Sequence, residues 1–330
     1  VTETLDIHTG ATRLLARAFA AGKLSHSYLI AGPEGAGKKT LALKLAAATA
    51  CAERRFPPCG RCPSCRKVER GEHPDVHRLE PEGRSYKIDD VRDLIVKLQL
   101  HSFEGGWKAA VIADVDRLML ESSQNAFLKT LEEPPSDTVL VLTCVNLQRV
   151  LPTIISRCQL LRLGPMPREA VRQLVGQRGL TASEATLVAE FAHGNARKAL
   201  EMDLPFVFDF RRQLLEKLAG ISREDRLAML EFAEVLAKTD HPQEAVLDLV
   251  AGFYDDVLYL KLGRSDLRNR DLIDLVAREA RQLDVITVLE KIEAVLAARG
   301  RALGNARPQI NWEILIMTLK GVEGAAITRS

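Results

Sequence analysis

Tyr28-Leu29-Ile30-Ala31-Gly32-Pro33-Glu34-Gly35-Ala36-Gly37-Lys38 joins an apolar, strand-like run to a glycine-rich turn and then to a helical pattern that starts at Lys38. The spacing is G-x-x-x-x-G-K, in which backbone N–H groups curl round phosphate oxygens at a helix N-terminus and the lysine reaches the outer phosphates. Gly32, Gly35, Gly37 and Lys38 are therefore candidate phosphate-binding residues. The alternative is a plain glycine turn before a helix. The next position ordinarily carries Ser or Thr, whose hydroxyl ligates the magnesium ion bridging the terminal phosphates. Here it is Lys39, and Thr40 lies one residue late, about 100° round the helix.

A second half-site is expected where an apolar run ends in acid, and Val111-Ile112-Ala113-Asp114-Val115-Asp116 supplies one. Asp114 is the candidate metal-associated carboxylate. Hydrolysis would call for a general base, ordinarily a Glu, directly after it. Val115 follows Asp114 and Arg117 follows Asp116, so neither acid is followed by a base. The alternative is that both are surface or capping carboxylates.

Working outward, strand-like runs at Ser27–Ala31, Val76–Leu79, Ala109–Asp114, Val139–Thr143 and Gln159–Leu163 alternate with helical patterns at Lys38–Ala52, Ile88–His101 and Ser122–Glu133. That alternation predicts an α/β domain with a parallel sheet over residues 1–164. Gly164-Pro165-Met166-Pro167 breaks it. Three short helical stretches then predict a small helical lid over 165–205, and the helical periodicity of 206–330, with no strand signal, predicts an all-α third domain.

Length agrees with several domains, since 330 residues exceed one ordinary core. A hydrophobic share of 46% and a charged share of 27% exclude a disordered chain. A formal charge of only +2 gives no whole-molecule argument for nucleic acid. The opening residues have scattered charges and no apolar core of a leader, and no apolar run reaches the roughly 20 residues of a membrane span. A cytoplasmic protein with no membrane partner is the expectation.

Cys51, Cys59, Cys62 and Cys65 form C-x7-C-x2-C-x2-C, with Pro57, Pro58, Gly60 and Pro63 bending the chain between them. Clustered cysteines in a cytosolic-looking chain point to metal before disulfides. Four converging thiolates suit zinc and leave no open position for water, so the expected role is structural. Redox dithiols and an iron–sulfur centre are the alternatives. Cys144 and Cys158 read as small buried apolar residues.

Taken in order, His26-Ser27-Tyr28-Leu29-Ile30, the phosphate loop, the four cysteines, His73-Pro74-Asp75, Asn125 to Pro135 and Leu151 to Cys158 resemble one family, the AAA+ subunits of the bacterial DNA polymerase III clamp loader. The likeness spans residues 12 to 205, and Asn305 to Leu319 resembles the family's collar signature. Tau/gamma members carry the hydroxyl and the Glu that Lys39 and Val115 replace. The departures therefore side with the delta prime branch, and an active tau/gamma-like loader ATPase is the alternative.

The resemblance implies an AAA+ P-loop domain with a zinc module at 51–65, a lid, and a collar for oligomerisation. It implies a hetero-oligomer with tau/gamma and delta subunits that loads the sliding clamp onto primed DNA, with the DNA contact left open between direct and indirect through those partners. Efficient ATPase activity of the chain's own site is not expected, and binding of ATP or ADP there is left open. Arg157, in Ser156-Arg157-Cys158, is implied to be an arginine finger acting in trans on a neighbour's ATP, the alternative being a structural arginine paired with a local carboxylate. Arg197 resembles the lid's nucleotide-sensing arginine, the alternative being a purely structural role.

Overall fold

The structure, a computed structural model, describes residues 9–79 and 85–322. The chain divides into two units, one ending at Glu201 and the other starting at Met202. In the first unit the strands are β1 (Ser27–Ala31), β2 (Val76–Leu79), β3 (Lys108–Ile112), β4 (Thr138–Cys144) and β5 (Gln159–Arg162). They form one parallel sheet in the order β2-β3-β4-β1-β5. β1, which delivers the glycine loop, lies between β4 and β5, and every residue of it is buried.

Helices cover both faces of this sheet, and that accounts for strands that read as continuous apolar runs. The helices are α1 (Thr9–Ala20), α2 (Lys38–Ala50), α3 (Pro63–Arg70), α4 (Ile88–Gln99), α5 (Val115–Leu118), α6 (Glu121–Glu132) and α7 (Pro152–Ile155). Alternate side chains of β1 serve the two layers. Tyr28 and Ile30 join Leu41 and Leu45 of α2, whereas Leu29 and Ala31 join Leu94 of α4 and Phe127 and Leu131 of α6. Each Leu, Ile or Phe among these contributes about 1.5–3 kcal/mol when fully buried.

Two sequence expectations change here. The strand expected to reach Asp114 stops at Ile112. Asp114 turns into the left-handed region with φ of 48°, its N–H donating to Thr143 Oγ1 at 2.9 Å, and Val115 opens a short helix. The cysteine segment, read as turns, also contains α3. Pro63 stands at its first turn, where a missing N–H costs nothing, and Cys62 Sγ caps it by accepting from Cys65 N.

Three further helices complete this unit: α8 (Arg168–Gly176), α9 (Ala182–Ala192) and α10 (Ala196–Glu201). Thr181 and Glu184 form a reciprocal capping box that starts α9. The helix ends through His193 and Gly194, both with positive φ.

Among its described residues the second unit is helical: α11 (Arg211–Gly220), α12 (Arg226–Ala237), α13 (Gln243–Lys261), α14 (Ile273–Gln282), α15 (Val285–Leu303) and α16 (Pro308–Leu319). A π-helical turn, Phe206–Phe210, precedes α11. Its core includes Leu215, Phe253, Val257, Val295, Trp312 and Ile316. A polar cluster is buried with them. Arg211, with no exposed surface, donates to Val207 O at 2.8 Å and Asn269 Oδ1 at 2.6 Å and pairs with Asp271. Asp256 accepts from the N–H groups of Arg268 and Asn269. Among the described residues no helix is long and apolar enough to cross a membrane.

Candidate nucleotide and metal sites

The glycine loop follows β1 and wraps the N-terminus of α2. Gly35 and Gly37 have φ of 67° and 81°, conformations costly for any residue with a Cβ. Space is as restrictive as angle. A Cβ on Gly32 would stand 2.6 Å from Leu163 O, and one on Gly35 would stand 1.9 Å from Asn195 Oδ1. The N–H of Ala196 also donates to Gly35 O at 3.1 Å, so the turn that begins α10 is bonded directly to the loop.

Lys38 is only 7% exposed, and its Nζ donates to Pro33 O at 2.8 Å. Burial pushes its ammonium down from the ordinary lysine value, while the carboxylates of Asp114 and Asp116 act against that shift. A cavity of about 1260 Å³ opens over the loop, bounded among others by Gly35, Gly37, Lys38, Asp114 and Arg197. Gly32 is not among its lining residues; it packs behind, against Leu163. The five lining residues come from three separate stretches of sequence and meet here.

The two acids after β3 part company. Asp114 lines the cavity. Asp116 is buried, and its carboxylate accepts from Val145 N at 3.1 Å and Asn146 N at 2.7 Å, tying α5 to the end of β4. Val115, where a base would be needed, is fully buried in the apolar layer. Lys39 is exposed and lines the cavity, with Thr40 beside it. Arg197 is an exposed side chain paired with Glu201 of its own helix at 2.9 Å.

Arg157 is not a lining residue of this cavity. It follows α7, donates to Thr153 O at 2.9 Å and pairs with Glu132 at the end of α6. Its backbone is held too, since Ser27 Oγ donates to Arg157 O at 2.6 Å.

Sequence reasoning passed over Lys44, which lines the same cavity and whose Nζ is buried without a hydrogen-bond partner. It also passed over Asn195, which packs on Gly35. No local signal marks either, because both reach the site only through helix packing.

The sulfur atoms of Cys51, Cys59, Cys62 and Cys65 all lie within 4.8 Å of one another. Cys59 and Cys65 Sγ are 3.9 Å apart, against an edge of about 3.8 Å for a tetrahedron with 2.3 Å metal–sulfur bonds. Backbone amides already face two of the sulfurs: Cys59 N donates to Cys51 Sγ and Cys65 N to Cys62 Sγ, each at 3.4 Å. Burial pushes the Cys65 thiol up. Burial also acts to raise Cys62, but amide donors from Ala52 and Cys65 and the adjacent thiols draw it down to about 6. The donor set fits a metal ion held by thiolates. Cys144 is fully buried, its thiol pushed up to about 12 by burial and then by Asp116, and Cys158 is half-buried.

A parallel sheet that presents a G-x-x-x-x-G-K loop at a helix N-terminus, short helices bonded to that loop and a cluster of four cysteines define an α/β protein of the P-loop type with Lys39 where such loops ordinarily carry Ser or Thr. Family models described as "DNA polymerase III, delta subunit" and "DNA polymerase III, delta subunit, C terminal" match residues 7–167 and 207–319. The DNA polymerase III subunit delta' of Bacillus subtilis (strain 168) is 31% identical over 323 residues, covering 96% of this chain and 98% of that protein. The subunit delta' of Escherichia coli (strain K12) is 32% identical over 276 residues, covering 82% of this chain and 80% of that protein. The DNA polymerase III subunit tau of Bacillus subtilis (strain 168) is 26% identical, covering 93% of this chain and 59% of that protein. The chain belongs to the DNA polymerase III delta' subunit family.

Proposed function

We propose that this chain is the delta prime component of a clamp loader, a subunit that assists ATP-dependent loading of the sliding clamp onto primed DNA without efficient hydrolysis in its own site. Three observations together carry its non-hydrolytic part. Lys39 stands in place of the magnesium-ligating hydroxyl, Val115 is buried where a base would act, and the Asp116 carboxylate is committed to two backbone amides. Hydrolysis of a phosphoryl group depends almost wholly on metal and positioned polar groups, so these departures support a site that does not turn over efficiently.

Chemistry then belongs to a neighbour. Arg157 acts as an arginine finger in the ATP site of an adjoining tau/gamma subunit, where a guanidinium offsets charge developing on the transferred phosphoryl. That it is not among the residues lining its own chain's cavity supports a role in trans. Gly32, Gly35, Gly37, Lys38, Asp114 and Arg197 make up a degenerate nucleotide site. The cysteines hold one structural zinc. Residues 1–164, 165–205 and 206–330 act as AAA+ module, lid and collar, the collar joining tau/gamma and delta subunits in a cytoplasmic hetero-oligomer.

Reconstitution tests this. The chain alone should show no magnesium-dependent turnover, and its addition to tau/gamma and delta proteins should restore ATPase stimulated by primed DNA and clamp. Loader-like turnover by the isolated chain, abolished by Lys38→Ala, would instead establish the tau/gamma-like ATPase reading.

A further inference from the structure

The charges around the phosphate loop are arranged for an anion that arrives without its metal. Three lysines of one helix, Lys38, Lys39 and Lys44 of α2, line the cavity. Lys38 is more than nine-tenths buried and has one hydrogen bond among the described residues, to Pro33 O, although an ammonium carries three donors. The Lys44 ammonium is buried with no hydrogen-bond partner, a costly arrangement that an anion would relieve.

Of the four acids among the described lining residues, three are paired with arginines. Glu34 pairs with Arg117, Glu169 with Arg172 and Glu201 with Arg197. Asp114 is the remaining lining carboxylate, and it has no ion pair among the described residues. A magnesium ion bound through phosphates ordinarily gains a hydroxyl and a carboxylate from the protein. Here the hydroxyl position holds a cation, which repels a dication over the same few ångströms in which it attracts phosphate. The volume of about 1260 Å³ accommodates a nucleotide, given that ligand pockets run from about 300 to 1,000 Å³.

We propose that this site binds nucleoside di- and triphosphates in their metal-free form, with the Lys39 ammonium neutralising the phosphates where a magnesium ion would otherwise stand. The inference rests on the reading that the site does not hydrolyse, and it gives that site a ligand. Magnesium then competes with the protein for the nucleotide instead of bridging the two.

Isothermal titration of the full chain with ATP and with ADP, in EDTA and in millimolar magnesium chloride, tests this. Binding should be at least about tenfold tighter in EDTA, a difference of about 1.4 kcal/mol. Lys39→Thr, a change at an exposed residue whose folding is checked by its melting curve, should reverse the preference so that magnesium tightens binding. Tighter binding of the natural chain in magnesium, no binding in either buffer, or a folded Lys39→Thr chain that keeps the EDTA preference would each overturn the proposal. Phosphate release measured in the magnesium arm separates the two readings: release refutes the non-hydrolytic assignment, whereas a wrong metal preference without release refutes only this one.

Discussion

Arg157 pairs with Glu132, a carboxylate at the end of α6 that follows Leu131 and stands two positions before Pro134. The finger proposed to enter a neighbour's site is thus parked on a local partner. Half-exposed pairs of this kind contribute about 0–1 kcal/mol, little enough for a phosphate-bearing neighbour to outcompete Glu132. In a reconstituted loader, Arg157→Ala should leave assembly intact and slow single-turnover hydrolysis at the adjoining site by about 10³ or more. Glu132→Ala should leave that rate at or above the natural one. Unchanged hydrolysis with Arg157→Ala would refute the finger assignment.

The cysteine module should carry one equivalent of zinc. Replacement of Cys65 by Ser removes a thiolate from a buried corner and should reduce the metal below about half an equivalent and lower the melting temperature. Exhaustive chelation should reproduce the same loss in the natural chain. Metal analysis alongside a melting curve checks both, and full stability without metal would contradict a structural role.

Gly35→Ala should destabilise the first unit by about 1–3 kcal/mol, since it combines a left-handed backbone with a collision at Asn195 Oδ1. Asn195→Ala in the same chain should recover part of that loss, because the side-chain half of the clash is gone while Ala196 N still approaches. A double-mutant cycle in denaturant measures the coupling, and strict additivity would show that the two residues do not meet.

Asp75 binds the loop before β3 through its carboxylate, which accepts from Ser102 Oγ at 3.2 Å, Phe103 N at 2.7 Å and Glu104 N at 2.9 Å. Burial opposes the charge, but these donors win and hold the carboxyl below its usual value. A folded-state pKa below the unfolded one contributes stability above the unfolded value, near 3.9, that is lost as pH falls through the folded value. Asp75→Ala should cost about 1–2 kcal/mol at neutral pH by removing the shared acceptor of three part-buried donors. The gap between natural and variant chains should shrink below about pH 4, as urea titrations across pH would reveal.

Much of the framework was legible residue by residue. Four of the five strands were placed within a residue at each end, because continuous apolar runs bounded by turn residues admit few readings in a parallel sheet. The third overran to Asp114, since periodicity cannot register a backbone that turns left-handed to satisfy Thr143. Helix α3 was hidden by the prolines and glycine that surround it. In the second unit, Arg211 and Asp256 carried no sign in the sequence of being fully buried, as charge alone predicts exposure and only their mutual partners reverse it.

By itself the sequence determined the G-x-x-x-x-G-K loop, the lysine at position 39 where such loops ordinarily carry a hydroxyl, and the four-cysteine set. Each depends on spacing along a short stretch, where geometry is set by local backbone rules. Tertiary structure alone decided which acid faces the cavity, that Asn195 closes on Gly35, and that Arg157 rests on Glu132. Those relations join segments far apart in the chain, and side chains on different elements meet only after the sheet and its helices have packed.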